Sequence, residues 1–268
     1  MRRLLFHWSL NVALLLLAIS LDSQPAVAFV ASGGKWPQPG GQGTPVTITY
    51  SYQNMFDGAL KMPNGQPLPA TLIRESIEEA FGVWASYAPL TFVEAPDDGL
   101  AYSQGSTQFG QIRFRHVFIN GPDPPPPAPP VAKARAYFPF AGGSIAGDVE
   151  FDHGDPWQQA GTLPVPDILG ATIHELGHSL GLGHTSIPQA NMYRIFTRYS
   201  GLGTGALHQD DINGIQFVYG AGQGGVIPLA TVPEPATLAL LLFTTICWFL
   251  QRASRASRAV LGPGPSRP

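Results

Sequence analysis

Eleven residues concentrate the chemistry of this chain: His174-Glu175-Leu176-Gly177-His178-Ser179-Leu180-Gly181-Leu182-Gly183-His184, which reads H-E-x-x-H-x-x-G-x-x-H. Histidines four residues apart project from one face of a helix, where two imidazoles can hold one metal ion. Glu175 follows His174 and is turned about 100° from it. It can face a metal-bound water as proton acceptor without being a ligand itself. Gly181 lets the chain leave the helix through a conformation that is costly for other residues. That turn can swing His184 back as a third ligand. Three neutral imidazoles leave one position of a tetrahedral zinc open, the arrangement of a catalytic centre rather than a closed structural one. A bare H-E-x-x-H can arise by chance in a buried helix, but the added glycine and third histidine at fixed spacing make chance a poor account.

These residues need a scaffold to position them, and the rest of the chain reads as one. The first two histidines lie on an expected helix over Pro166–Leu180. Five segments before it read as strands: Val46–Tyr52, Leu90–Glu94, Gln111–Phe118, Lys133–Phe138 and Gly147–Asp152. They are short, rich in β-branched and aromatic residues, and bounded by turn residues. Within 69–88, Ile73, Ile77, Ala80, Phe81 and Trp84 fall at helical spacing and read as a core face, with Pro89 as the stop. His208–Gly220 reads as a short amphipathic helix ending at glycine. His116 stands alone on its strand and reads as packed rather than ligating. Residues 124–130 are prolines broken only by Ala128, which predicts an extended polyproline II loop.

Both ends of the 268-residue chain read as sorting segments, leaving about 200 residues, or one domain, between them. Residues 1–28 have Arg2 and Arg3, an apolar core from Leu4 to Leu21, and Ala26-Val27-Ala28 as a small-x-small cleavage site. This is the pattern of a signal peptide, favoured over an uncleaved anchor by the Asp22-to-Pro25 break. Residues 29–45 are Gly/Pro-rich and read as an irregular arm. The domain follows over 46–220, then a Gly-rich linker over 221–231. Within 232–258, Val232-Pro233-Glu234-Pro235 precedes an apolar helix over 236–250 and then Arg252, Arg255 and Arg258; 259–268 is a tail. The apolar run is short for a stable span. Residues 29–232 carry nine basic against sixteen acidic residues, a balance of −7, which argues against nucleic acid as a partner. The single cysteine, Cys247, lies in the C-terminal apolar run, so the exported part has neither a disulfide nor a thiolate to cover a metal.

Over about Val46 to Gly220 the chain resembles the matrixin branch of the metzincin zinc metalloproteases. The resemblance rests on His174–His184, on Met192 eight residues after His184, on Gln209-Asp210-Asp211-Ile212-x-Gly214-Ile215-Gln216-x-x-Tyr219-Gly220, and on Gly147-Asp148-x-x-Phe151-Asp152 with Trp157. It implies an α+β zincin fold: a mixed five-stranded sheet with three helices. It also implies one catalytic zinc on His174, His178 and His184, Glu175 as the base, Gly181 at the turn, and Met192 supporting the site from below. An extended protein or peptide substrate would pair with the edge strand, here Lys133–Phe138. Two of the histidines that hold a second, structural zinc in the family fall at Arg135 and Glu150. That zinc is therefore expected to be absent, with an Arg135–Glu150 ion pair in its place. Asp152 and Asp155 match carboxylates that bind structural calcium and are candidate calcium ligands.

The C-terminal block resembles the PEP-CTERM sorting signal of Gram-negative bacteria. It implies export, processing by an exosortase-type enzyme, and membrane association through the C-terminal helix before processing, with an ordinary tail anchor as the alternative. The expected activity is zinc-dependent endopeptidase cleavage of extracellular or surface proteins. A non-catalytic surface or matrix binding protein on the same fold is the competing reading, and an intact ligand set with a glutamate base disfavours it. A zinc hydrolase acting on a non-peptide amide is the third.

Overall fold

The computed structural model describes residues 28–122, 131–159, 165–195 and 197–229. The chain divides into two units, Met1–Pro228 and Leu229–Pro268, and every element below belongs to the first. The apolar run Leu4–Leu21 expected to form a signal-peptide core, the proline run, Cys247, the apolar segment 236–250 and the basic tail lie outside the described residues. Among the described residues no helix is long and apolar enough to cross a membrane.

The central strand is β2 (Val46–Tyr52), in which Val46, Ile48, Tyr50 and Tyr52 are buried. It runs parallel to β3 (Leu90–Glu94) on one side and to β4 (Ile112–Val117) on the other. The return from β2 to β3 is made by α1 (Ala70–Ala85). The apolar spacing in α1 puts Ile73, Ile77, Ala80, Phe81 and Trp84 against the sheet and its neighbours, all fully or nearly fully buried. Phe81 meets the rings of Tyr50 at 4.6 Å, Phe92 at 4.2 Å and Phe114 at 5.7 Å. Such a ring cluster stabilises by about 0.5–1.5 kcal/mol per pair beyond its area. Proline at 89 has no amide hydrogen to extend the helix, and the chain enters β3 at the next residue.

On the far side of β4 lies β6 (Val149–Asp152), again parallel, and β5 (Ala134–Ala136) pairs antiparallel with β6 as the terminal strand. The five strands and three helices expected from the sequence are present. The remaining helices are α2 (Ile168–Ser179) and α3 (Gln209–Tyr219). The sheet has a sixth strand, however. After β7 (Leu182–Gly183), the short β8 (Gly225–Ile227) pairs parallel with Thr91–Val93, inside the segment that reads from sequence as a Gly-rich linker. Gly224 serves close approach rather than flexibility. A Cβ at Gly224 would lie 1.7 Å from the Leu90 carbonyl oxygen, and the Gly224 N–H donates to Ala85 O at 2.8 Å.

The arm over 29–45 is likewise less irregular than its composition suggests. Its β1 (Val30–Ala31) pairs antiparallel with β7. Trp36 donates its indole N–H to Ser179 O at 2.9 Å, and its backbone N–H goes to the Tyr219 hydroxyl at 3.1 Å. That hydroxyl in turn donates to Leu180 O at 3.0 Å. The arm therefore fastens the C-terminal end of α2 to α3, satisfying carbonyls that a helix end leaves open.

Candidate metal centre

The site is carried by α2, which starts at a sequence-local signal. Asp167 is its N-cap, and its carboxylate accepts from Gly170 N at 2.7 Å. Along the helix two glycines stand where no side chain fits. A Cβ at Gly170 would lie 2.1 Å from Thr197 O, and one at Gly177 would lie 2.1 Å from the sulfur of Met192. Gly177 occupies a position the motif leaves free, so its role was not legible from the spacing. It lets Met192, itself almost fully buried, sit directly against the helix at Gly177.

The helix ends at Ser179. Gly181 then takes φ +100°, where a Cβ would also lie 2.3 Å from Gly34 O. The turn leads into β7 and brings His184 back over the helix. His184 Nε2 stands 3.2 Å from His174 Nε2 and 3.1 Å from His178 Nε2. The other ring nitrogens are committed elsewhere. His174 Nδ1–H donates to Asn191 O at 2.6 Å, and His178 Nδ1–H donates to Leu182 O at 2.7 Å. With Nδ1 protonated, both neutral rings turn an Nε2 lone pair inward.

Electrostatics keep these rings neutral. Burial, helped by the neighbouring histidines, holds the His174 imidazole down to about 3, and burial holds His178 down to about 4. His184, exposed at the rim, is lowered in the same direction by desolvation. Among the described residues, His174, His178 and His184 are the group of three or more ligating side chains whose ligand atoms all lie within 4.8 Å of one another. Three converging nitrogens with no acidic ligand suit a borderline divalent ion such as zinc. Glu175 lies on the same helix, 6 % exposed, and desolvation pushes its carboxyl up to about 8. A carboxyl so placed takes up a proton readily, and a cation on the adjacent imidazoles would draw its pKa back down.

The turn under the site is held by a residue to which sequence reasoning gave no separate role. The Asp211 carboxylate, at the start of α3, accepts from Asn191 N at 2.8 Å and Met192 N at 2.9 Å. The same aspartate thereby fixes the carbonyl that orients His174 and the methionine that supports the helix. The link joins segments about twenty residues apart, and only the acidic pair in the first turn of α3 hinted at it.

The strands beside the site hold cations of the chain's own. Glu150, 2 % exposed on β6, lies opposite Arg135 of β5 and Arg115 of β4 in register, and it makes ion pairs with both. The Arg135–Glu150 pair expected from the sequence is present, and Arg115 adds a second cation on the other side. The expected calcium ligands, Asp152 and Asp155, have partners within the chain. Lys133 Nζ lies 2.6 Å from the buried Asp155 carboxylate. The Asp152 carboxylate accepts from the backbone N–H groups of Asn120, Gly121 and Gly154 at 2.8, 2.7 and 2.8 Å. One carboxylate is thus turned to an ammonium group and the other to amides.

Comparison with known proteins gives a consistent picture. The matrixin family model matches residues 59–220. Matrix metalloproteinase-16 of Homo sapiens is 34% identical over 215 residues, which is 77% of this chain and 30% of that protein. Stromelysin-3 of Xenopus laevis is 32% identical over 207 residues, covering 77% of this chain and 36% of that protein. Matrix metalloproteinase-15 of Homo sapiens is 33% identical over 160 residues, 59% and 23% of the two chains. The chain spans about a third of the length of the relatives it matches most fully.

Proposed function

The chain belongs to the matrixin family, and from that premise we propose that it is a zinc-dependent metalloendopeptidase acting on extracellular or surface proteins. The observation that carries the reading is the convergence of three Nε2 atoms at 3.1 and 3.2 Å beside a buried glutamate on the same helix. His174, His178 and His184 would hold the metal. When bound, zinc supplies a Lewis acid that polarises a carbonyl and makes water more acidic. Glu175 takes a proton from the attacking water on its carboxylate and passes it to the nitrogen of the departing amine. Its dry surroundings favour the protonated intermediate state needed for that second transfer. Asn191 and Leu182 keep two imidazoles in the tautomer that leaves Nε2 free, and Met192 backs the helix that carries them.

Substrate would lie extended along β5, the terminal strand of the sheet, and exchange backbone hydrogen bonds with it. Phe138, just past that strand, stands edge-on to His178 with ring centroids 5.6 Å apart and forms one flank of the cleft. Residues 1–28 direct export, and residues 232–258 direct processing by an exosortase-type enzyme at a Gram-negative cell surface. Incubating the purified chain with a peptide library tests the reading. Internal cleavage that stops with a chelator and returns with zinc is the expected result. Binding without cleavage by the fully zinc-loaded protein would identify a non-catalytic matrix protein instead.

A further inference from the structure

We propose a second metal site in this chain, formed by His116 and His153 and suited to a divalent ion such as Cu2+ or Zn2+. His116 is on β4 and His153 is the first residue after β6, the adjacent parallel strand. The His153 N–H donates to Val117 O at 3.0 Å. Both rings therefore rise from the carboxyl ends of neighbouring parallel strands, the place where open parallel sheets seat ligands. Their Nδ1 atoms face each other at 2.9 Å, with ring centroids 5.0 Å apart. In the His174 cluster the facing nitrogens are 3.1 and 3.2 Å apart and the ring centroids 4.7 to 5.2 Å. The two-histidine pair thus repeats the spacing of the three-histidine centre on different elements.

The other nitrogen of His116 explains why Nδ1 can act as a donor atom to a metal. His116 Nε2 lies 3.0 and 2.9 Å from the two carboxylate oxygens of Asp57. A carboxylate only accepts, so Nε2 carries the proton, and the neutral form of the ring has its Nδ1 lone pair facing His153. A carboxylate on the far nitrogen is what orients a metal-binding imidazole and raises its basicity. The ligand is also held in place before any ion arrives. Asn54 donates to His116 O at 3.1 Å and accepts from His116 N at 3.0 Å, and the His116 ring is 7 % exposed. His153 is only partly buried, which gives an ion an entry side and leaves room for water to complete its coordination. Two imidazoles and water follow the usual order of affinity, with Cu2+ above Zn2+. The competing arrangement is a proton in place of the ion, with His153 Nδ1–H donating to His116 Nδ1.

Metal analysis of the full chain separates the two. In a His178→Ala/His184→Ala background, which removes two ligands of the main cluster, one equivalent of Cu2+ per chain should remain after equilibrium dialysis. Its electron spin resonance should show coupling to imidazole nitrogen. Adding His153→Gln, a change at a partly exposed turn, should remove that equivalent, and His116→Gln should do the same. Asp57→Asn should weaken it about 10–100-fold. Circular dichroism on the metal-free variants checks that each is folded. In the otherwise native chain, His153→Gln should leave peptidase activity unchanged. No residual equivalent in a folded background variant, or one that persists undiminished in His153→Gln, would overturn the site.

Discussion

The His174 cluster and the Glu150 cluster lie on packed neighbours, α2 and the β4–β6–β5 side of the sheet, and they treat positive charge in opposite ways. At the first, burial and carbonyl partners keep the imidazoles neutral, with Nε2 lone pairs turned to a common centre. At the second, a buried carboxylate is already enclosed by Arg115 and Arg135, and Asp155 is met by Lys133. A tethered guanidinium can neutralise a carboxylate and tie strands together, but it offers no open coordination position. The contrast separates a ligand set that leaves a coordination position open from tethered cations that serve only to cross-link.

The largest effect should come from emptying the first cluster. His178→Ala is expected to lose stoichiometric zinc and to reduce cleavage to background while the far-ultraviolet spectrum stays native. Retained zinc and activity would break the comparison at its root. Glu150→Ala should act on stability alone. It leaves two guanidinium groups facing an uncompensated site, at a cost of about 3–5 kcal/mol. Arg135→Ala, which removes a side chain that is 49% exposed, should cost about 1 kcal/mol or less. Denaturant melts of the two variants check this asymmetry, and zinc content should be unchanged in both. Equal losses would mean that the pairs do not work as an enclosed carboxylate.

Gly177→Ala sharpens the first half of the comparison. The added methyl must displace Met192, so a loss of about 1–3 kcal/mol is expected. It should be accompanied by a fall in kcat through tilt of the helix. A further effect is on acid response. His174 and His178 titrate well below an unfolded histidine, whose pKa is about 6.5. As pH falls through 6.5 the unfolded chain takes up protons that the folded site refuses. The contribution of these two histidines to metal-free stability should therefore be full above about pH 6.5 and be lost toward pH 4. Urea melts across that range check the direction, and a rise in stability on acidification would contradict it.

What the sequence made legible follows from range. The H-E-x-x-H-x-x-G-x-x-H stretch and its Gly181 turn act within a few residues of themselves, so type and spacing were enough. Arg135 and Glu150 were paired through resemblance, but Arg115 was not. Its place opposite Glu150 depends on the register of a third strand, and register is not written in any one segment. The same limit hid Asp211 beneath the Met192 turn and Asp57 behind His116. It also hid β8: a glycine-rich run reads as a linker until a neighbouring backbone shows what the missing side chains make room for. The partners of Asp152 and Asp155 were hidden in the same way: the fold turns one carboxylate to backbone amides and the other to Lys133.

The central claim is that the three histidines hold a zinc ion whose chemistry depends on Glu175. Measuring zinc content and kcat/KM on the same preparation of Glu175→Ala tests it most directly. One zinc should remain in the His174 cluster, as in the unsubstituted chain, with kcat/KM lower by about 10²–10⁴. An unchanged rate at full zinc occupancy would contradict it.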